Sequence, residues 1–175
     1  MLSDTNWYVI QVNSGDEEVV KSMIIQELSK EQVEYENCFV PLIERIRIVN
    51  GRTETRIRPM FLGYVFLVTN EIEKARCALM NVILFTRILG ADGSFVSLDR
   101  REVEFLLNFA ETNYNITTSY GVIENDKVIV CSGPLVGKEG FIKKINRHKR
   151  IAEIEVSFMN RETRIYIPLE IVSKA

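Results

Sequence analysis

Residues 60–68, Met-Phe-Leu-Gly-Tyr-Val-Phe-Leu-Val, constrain this chain more than any other stretch, because as a strand they are apolar on both faces. Tyr64, Phe66 and Val68 share one side and Val65 and Leu67 the other, so each face needs a cover. Such a strand sits mid-sheet or under a partner. Two readings stay open: a central strand with protein packed on each side, or an aromatic patch at Tyr64 and Phe66 that docks another protein.

The flanking sequence supplies helices and further strands. Residues 6–13 alternate as a strand, with Tyr8, Ile10 and Val12 on one face and Trp7, Val9 and Gln11 on the other. Ser14-Gly15-Asp16-Glu17 has the S-x-x-E spacing of a capping box, which predicts that Ser14 accepts from the Glu17 amide while the Glu17 carboxylate accepts from the Ser14 amide. The helix it opens reaches residue 30, with Val19, Val20, Met23, Ile24 and Leu28 as its apolar stripe. Residues 38–41 read as a short strand. Asn70 is placed to cap a second helix over 71–80 with Ile72, Ala75, Leu79 and Met80 buried. A strand over 83–89, a turn at 90–93, and a third helix capped by Ser97 or Asp99 and buried through Val103, Leu106, Leu107 and Phe109 follow. This order fits an α/β sandwich with a mainly antiparallel sheet.

Residues 43–49 alternate with Ile46 and Ile48 inward and Arg45 and Arg47 outward, and Asn50-Gly51 suits the positive φ angles of a tight hairpin turn. With the return strand over 53–58, the ribbon carries Arg45, Arg47, Arg52, Arg56 and Arg58 against only Glu44 and Glu54. It reads either as a solvated edge hairpin whose charge blocks aggregation or as a finger that contacts phosphates.

Residues 112–120 are polar, rich in small side chains and without helical periodicity, as expected of a linker. Beyond them the helical signal stops. Strand-length segments at 127–131, 141–145, 151–158 and 163–167 have turns between them, and the third alternates with Ala152, Ile154, Val156 and Phe158 inward. Short strands in close succession over this stretch suggest a small β-barrel. The charge changes sign here too: residues 1–120 hold 12 Lys and Arg against 17 Asp and Glu, net −5, whereas residues 121–175 hold 10 against 7, net +3. A basic C-terminal portion points to an anionic partner.

The rest of the composition excludes more than it proposes. At 46% hydrophobic and 26% charged residues, 175 residues form ordinary globular material. No apolar run reaches bilayer length and the N-terminus lacks a basic-then-apolar signal, so a cytoplasmic protein is expected. Cys38, Cys77 and Cys131 lie far apart, and Cys38 and Cys131 sit in apolar runs where cysteine acts as a small hydrophobe. His148, the only histidine, has no carboxylate or cysteine at catalytic spacing. Neither an enzyme, a metal nor a cofactor is expected.

Two motifs carry a family resemblance. Trp7-Tyr8-Val9-Ile10-Gln11, then a helix, a strand with Pro41, a basic hairpin and Phe61-Leu62-Gly63-Tyr64-Val65, resemble the N-terminal (NGN) domain of the NusG transcription elongation factors. Val128, Val130 and Gly133-Pro134-Leu135-Val136-Gly137-Lys138-Glu139-Gly140 resemble the KOW motif that follows it. The resemblance implies an α+β chain: an NGN-type α/β sandwich over 1–111, a linker over 112–120, and an SH3-like KOW barrel over 121–175. It implies that Gln11, Phe61, Tyr64, Phe66 and Phe85 grip the clamp helices of the RNA polymerase β′ subunit. The family commonly has proline where this chain has Leu62. Where housekeeping members have a Phe-Gly tip tied to ribosome or Rho contacts, this chain has Met159-Asn160, which argues against those contacts. Among specialised paralogs it most resembles antiterminators of the LoaP type.

In that context Lys143, Lys144, Arg147, His148, Lys149 and Arg150, joined by Lys138, Arg161 and Arg164, read as a surface for nascent leader RNA, recognised by shape and backbone. The arginine hairpin becomes a candidate contact for non-template DNA. The expected function is a processive antiterminator that rides on polymerase and suppresses pausing and termination. The alternatives are a general NusG-like elongation factor, or a standalone RNA-binding or ribosome-associated protein.

Overall fold

A computed structural model describes residues 5–91, 94–109, 114–125, 127–158 and 161–174. The chain divides into two compact units, Met1–Pro41 with Phe61–Val103, and Leu42–Met60 with Glu104–Ala175. In chain order the elements are β1 (Trp7–Val12), α1 (Glu17–Lys30), β2 (Asn37–Phe39), β3 (Leu42–Val49), β4 (Arg52–Pro59), β5 (Tyr64–Val68), α2 (Ile72–Leu79), β6 (Thr86–Ile88), β7 (Gly90–Ala91), β8 (Ser94–Phe95) and α3 (Arg100–Phe109). They continue as β9 (Asn115–Ile116), β10 (Ser119–Glu124), β11 (Lys127–Ser132), β12 (Ile142–Asn146), β13 (Ile151–Phe158) and β14 (Arg161–Lys174), with a short 3-10 turn at Glu139–Phe141.

The first unit is built on a four-stranded sheet in the order β2-β5-β1-β6, antiparallel throughout. The doubly apolar strand is central, as its composition requires, and Val65, Phe66, Leu67 and Val68 are all buried. It is shorter than expected. Residues 60–63 form a bend and turn, because Gly63 takes φ +79° and its carbonyl accepts from Val12 N at 2.8 Å. The face of Tyr8, Ile10, Val65, Leu67 and Cys38 is the helix-covered one. Burial first raises the pKa of both Cys38 and Tyr8, and the lesser influences come from the helices, Lys21 and Glu18 of α1 on the Cys38 thiol and Glu73 of α2 on Tyr8. Val20, Ile24 and Leu28 supply the buried stripe of α1, while Val19, assigned to it from periodicity, is exposed.

The helix starts differ from the sequence reading in an instructive way. Glu17 does not close a box with Ser14: one carboxylate oxygen accepts from Gly15 N at 2.9 Å and the other from Gly63 N at 2.7 Å. Asn70 does not cap α2 through its side chain either. Its Oδ1 accepts from Asn6, whereas Thr69 Oγ1 accepts from Glu71 N at 2.9 Å. The reciprocal box is at α3, where Glu102 N donates to Asp99 Oδ1 and Asp99 N donates to Glu102 Oε2, both at 2.8 Å. Met80 and Leu107, expected inside, are exposed, and the strand expected over 83–89 is confined to β6 with Ile83 outside it in solvent.

In the second unit, β3 and β4 form the hairpin, turned by Asn50 and Gly51 at φ +53° and +76°. β9 runs parallel to the base of β3, and the Glu44 carboxylate accepts from both Thr118 N and Thr118 Oγ1 at 2.8 Å. The stretch expected to link domains is therefore, over its described residues, β9 and the start of β10. Five strands follow in the order β11-β10-β14-β13-β12, with register shifts at Gly121 and between Ile142 and Lys144 that curl the sheet. Ala152, Ile154 and Phe158 of β13 and Ile165, Ile167 and Leu169 of β14 form its core, with Ile123, Val130 and Leu135. Gly133, at φ +93°, lies so close to Ser119 that a Cβ would meet the Ser119 backbone at 2.6 Å. Cys131, expected to pack as a small hydrophobe, is exposed.

Candidate functional site

Two surfaces carry the residues singled out from sequence, one in each unit. In the first unit the strand registers set Tyr64 opposite Gln11 and Gln11 opposite Arg87, so these three form one row across β5, β1 and β6. Tyr64 and Gln11 are partly exposed, and Phe85, just ahead of β6, is half exposed. Phe61 and Phe66 are not surface groups. Phe66 is 0% exposed, stacked on Phe39 with ring centroids 5.5 Å apart and tilted against Phe61 at 5.9 Å, and Trp7 meets Phe39 edge-on at 5.5 Å. The aromatic patch expected from the β5 pattern is thus mostly core. Leu62, at the turn before β5, is 63% exposed. Arg87 escaped the sequence reading, although alternation from Phe85 would have put it on the same side.

In the second unit the hairpin register decides where the arginines go. Ile43 pairs with Arg58, Arg45 with Arg56, Arg47 with Glu54 and Val49 with Arg52, so Arg45, Arg47, Arg52, Arg56 and Arg58 all share one face. Arg56 is paired with Glu54 at 3.4 Å. The opposite face is not an inward one: Ile48 is 61% exposed, and Ile57 is similarly open. Arg45, expected outward, is the sheltered arginine. Burial first, and then the neighbouring Arg58, pull its pKa below the usual guanidinium value.

The nine residues assigned to a nucleic-acid surface separate into two groups. Lys143 and Lys144 on β12 and Arg147, His148 and Lys149 in the following turn are exposed on one hairpin, and the Asn146 side chain accepts from Lys149 N at 2.9 Å to shape its tip. The register shift between Ile142 and Lys144 is what lets two successive lysines both face solvent. Three others have partners within the chain. Lys138 donates to the carbonyls of Asn108 and Pro134 and lies 4.7 Å over the Phe109 ring, and burial lowers its pKa. Arg150 pairs with Glu170 at 3.4 Å, and Arg164 with Glu153 at 3.5 Å and Glu155 at 3.8 Å. Arg161 is exposed at the start of β14, and Met159-Asn160 beside it lies outside the described residues.

Among the described residues no group of three or more His, Cys, Asp and Glu side chains is placed to hold a metal ion. No described helix is long and apolar enough to cross a membrane. Burial pushes the Cys38 thiol up to about 12, far from a reactive thiolate.

Residues 5–107 match the family model described as transcription termination factor NusG, and residues 124–157 match the KOW motif. The chain belongs to the NusG family. NusG-family relatives named transcription termination/antitermination protein align along nearly its whole length. The Neisseria meningitidis serogroup B protein is 25% identical over 175 residues, covering 96% of this chain and 97% of its own. The Rickettsia felis protein is 22% identical over 171 residues, covering 96% and 89%. A solved structure of Thermotoga maritima NusG, described as showing domain interaction, has the same fold, with a TM-score of 0.55 and 21% identity over 94% of each chain. This chain is a NusG-like transcription termination/antitermination factor with a KOW module, and NusG-family proteins are transcription factors rather than enzymes.

Proposed function

We infer that this NusG-family chain is a processive antiterminator of the LoaP type, working with RNA polymerase in the cytoplasm. The row of Gln11 and Tyr64, with Phe85 beside it, would meet the polymerase clamp helices, while Phe61 and Phe66 hold that row from within. The KOW module would select its targets by binding a hairpin in the nascent leader RNA through Lys143, Lys144, Arg147, His148 and Lys149, with Arg161 at the rim. The arginine hairpin would contact non-template DNA phosphates through Arg47, Arg52, Arg56 and Arg58, with Arg45 sheltered at its base. No bond is made or broken; binding biases polymerase toward its elongating state.

The observation that carries this reading is the β12–β13 turn of the KOW module, whose exposed cations have no ion-pair partner among the described residues. An accumulation of unpaired like charge on a folded hairpin costs stability through self-repulsion, and a polyanion relieves it. One experiment tests the reading: capture of RNA polymerase with its bound RNA from cells expressing the tagged protein, followed by sequencing of that RNA. Enrichment of one or a few leaders is expected. Broad coverage of transcripts would replace it with a general elongation factor, and recovery of RNA without polymerase with a standalone RNA-binding protein. That last alternative has one observation in its favour, the complete burial of Phe66.

A further inference from the structure

The arginine hairpin and the KOW module belong to the same compact unit, and they converge on one cleft. It has a volume of about 420 Å³ and is lined by Arg45 from β3, Lys144 and Asn146 from β12, Lys149 from the turn, Ile151 and Glu153 from β13, and Tyr166 from β14. That is within the range of about 300–1,000 Å³ that small-ligand sites occupy. Strand pairing builds its floor: Lys144 lies opposite Glu153 and Glu153 opposite Tyr166, one row across three strands. Arg45 forms the opposing wall, near enough to Tyr166 to interact electrostatically with it.

We propose that this cleft holds one unpaired nucleotide of the RNA that the KOW module binds, so that Arg45, the one hairpin arginine lining it, serves that strand and leaves the DNA contact to Arg47, Arg52, Arg56 and Arg58. The lining divides as a nucleotide does. Arg45, Lys144 and Lys149 supply three cations for a backbone phosphate, and Arg45 is pre-positioned by its partial burial. Tyr166, 38% exposed, offers a ring face for a base to stack on. Glu153 would repel a bare anion, but its carboxylate accepts from the exocyclic amine of a base, and Arg164 pairs with it at 3.5 Å. The Asn146 amide nitrogen is the base-edge donor beside that acceptor, since its oxygen already accepts from Lys149 N. A site with cations, an aromatic face and a carboxylate together suits a nucleotide with its base exposed, which a paired duplex does not present.

The inference rests on the reading that the KOW module binds RNA, and its test separates the two. Binding of a fluorescent single-stranded RNA dodecamer and its DNA counterpart is measured for the full-length protein and for Arg45→Gln, Tyr166→Leu, Tyr166→Phe and Lys143→Gln, Lys143 lying outside the cleft. Arg45→Gln and Tyr166→Leu are expected to weaken RNA binding about tenfold each, Tyr166→Phe to preserve it, and RNA to bind more tightly than DNA. The Arg45→Gln, Tyr166→Leu double variant should lose less than the product of the two, because both act on one nucleotide. If Lys143→Gln weakens binding while Arg45→Gln leaves it intact, the module binds RNA and the cleft does not. Equal affinity for DNA overturns the assignment to RNA; absence of dodecamer binding by the wild-type protein overturns the cleft, and absence of binding to a stem-loop RNA measured beside it overturns RNA binding by the module as well. Should Tyr166→Leu fail to fold, Arg45→Gln alone decides.

Discussion

The carboxylate of Glu17 accepts from the backbone N–H of Gly63 at 2.7 Å, joining the first turn of α1 to the turn that enters β5 across 46 residues of sequence. Its other oxygen accepts from Gly15 N at 2.9 Å, and the side chain is 2% exposed. Glutamine at this position turns an NH₂ toward one of the two donors. Glu17→Gln should therefore destabilise the protein by about 1.5–3 kcal/mol, the range for a buried hydrogen bond to a charged group. Urea denaturation followed by circular dichroism measures it.

Gly63→Ala addresses the same junction from the other side. At φ +79° any L side chain is strained, and a Cβ would lie 3.1 Å from Val12 O and 3.3 Å from Ser14 Oγ. The expected loss is about 1–2 kcal/mol from the backbone conformation alone, and the crowding adds to it. Gly51→Ala has a comparable φ of +76° but nothing within 4 Å, so the difference between the two variants isolates the crowding.

Phe66 and Tyr64 are neighbours on one strand face with opposite expected phenotypes. Phe66→Ala removes a fully buried ring from the Phe39–Phe61 cluster and should cost about 3–5 kcal/mol of stability. Tyr64→Ser, at a partly exposed position, should cost nearer 1 kcal/mol. Its main effect should be weaker binding to an isolated clamp coiled coil, read by fluorescence anisotropy; unchanged affinity removes this face from the polymerase interface.

Acid should loosen the KOW module through Glu139. Backbone N–H groups, its own first and then that of Val130 at 3.1 Å, hold its carboxylate below the usual range. A depressed folded-state pKa means the contribution is present above the unfolded value of about 4.3 and is lost as pH falls through the folded one. Thermal midpoints between pH 3 and 6 should fall less steeply for Glu139→Gln than for the wild type, from a lower starting point at pH 6.

Salt dependence should distinguish free from engaged cations. Lys149→Gln and Lys143→Gln are each expected to reduce the slope of log affinity against log salt for single-stranded RNA by about 0.7. Arg150→Gln should change that slope little, since its guanidinium is already paired with Glu170 at 3.4 Å. Equal slopes for all three would remove the phosphate-contact role from the β12–β13 turn.

Much of the fold was legible because local periodicity and burial coincide. β13 spans the expected residues 151–158, since alternation over eight positions with one buried face leaves no other register. α1 ends at Lys30 as its stripe implied. The five arginines share a face because Asn50-Gly51 pins the hairpin register, and the register then places every side chain. Capping was only half legible. The S-x-x-E spacing at Ser14 and the D-x-x-E spacing at Asp99 are alike in sequence, yet only the second closes on itself, because Glu17 has a competing donor in Gly63.

The amino-acid sequence by itself determined the α+β class, the central position of the β5 strand, the basic character of the C-terminal portion and the family. Each depends on composition or on neighbours within a few residues. Tertiary structure alone decided which charges are available and which aromatic rings are exposed. Lys138, Arg150 and Arg164 look like Lys143 and Lys149 in sequence but are held by Phe109, Glu170 and Glu153. Phe66 and Tyr64 look equally exposed by alternation, and one is core. A side chain's partners are set by strand order and register over tens of residues, so the cleft between Arg45 and Tyr166, 121 positions apart, has no signature in either local stretch.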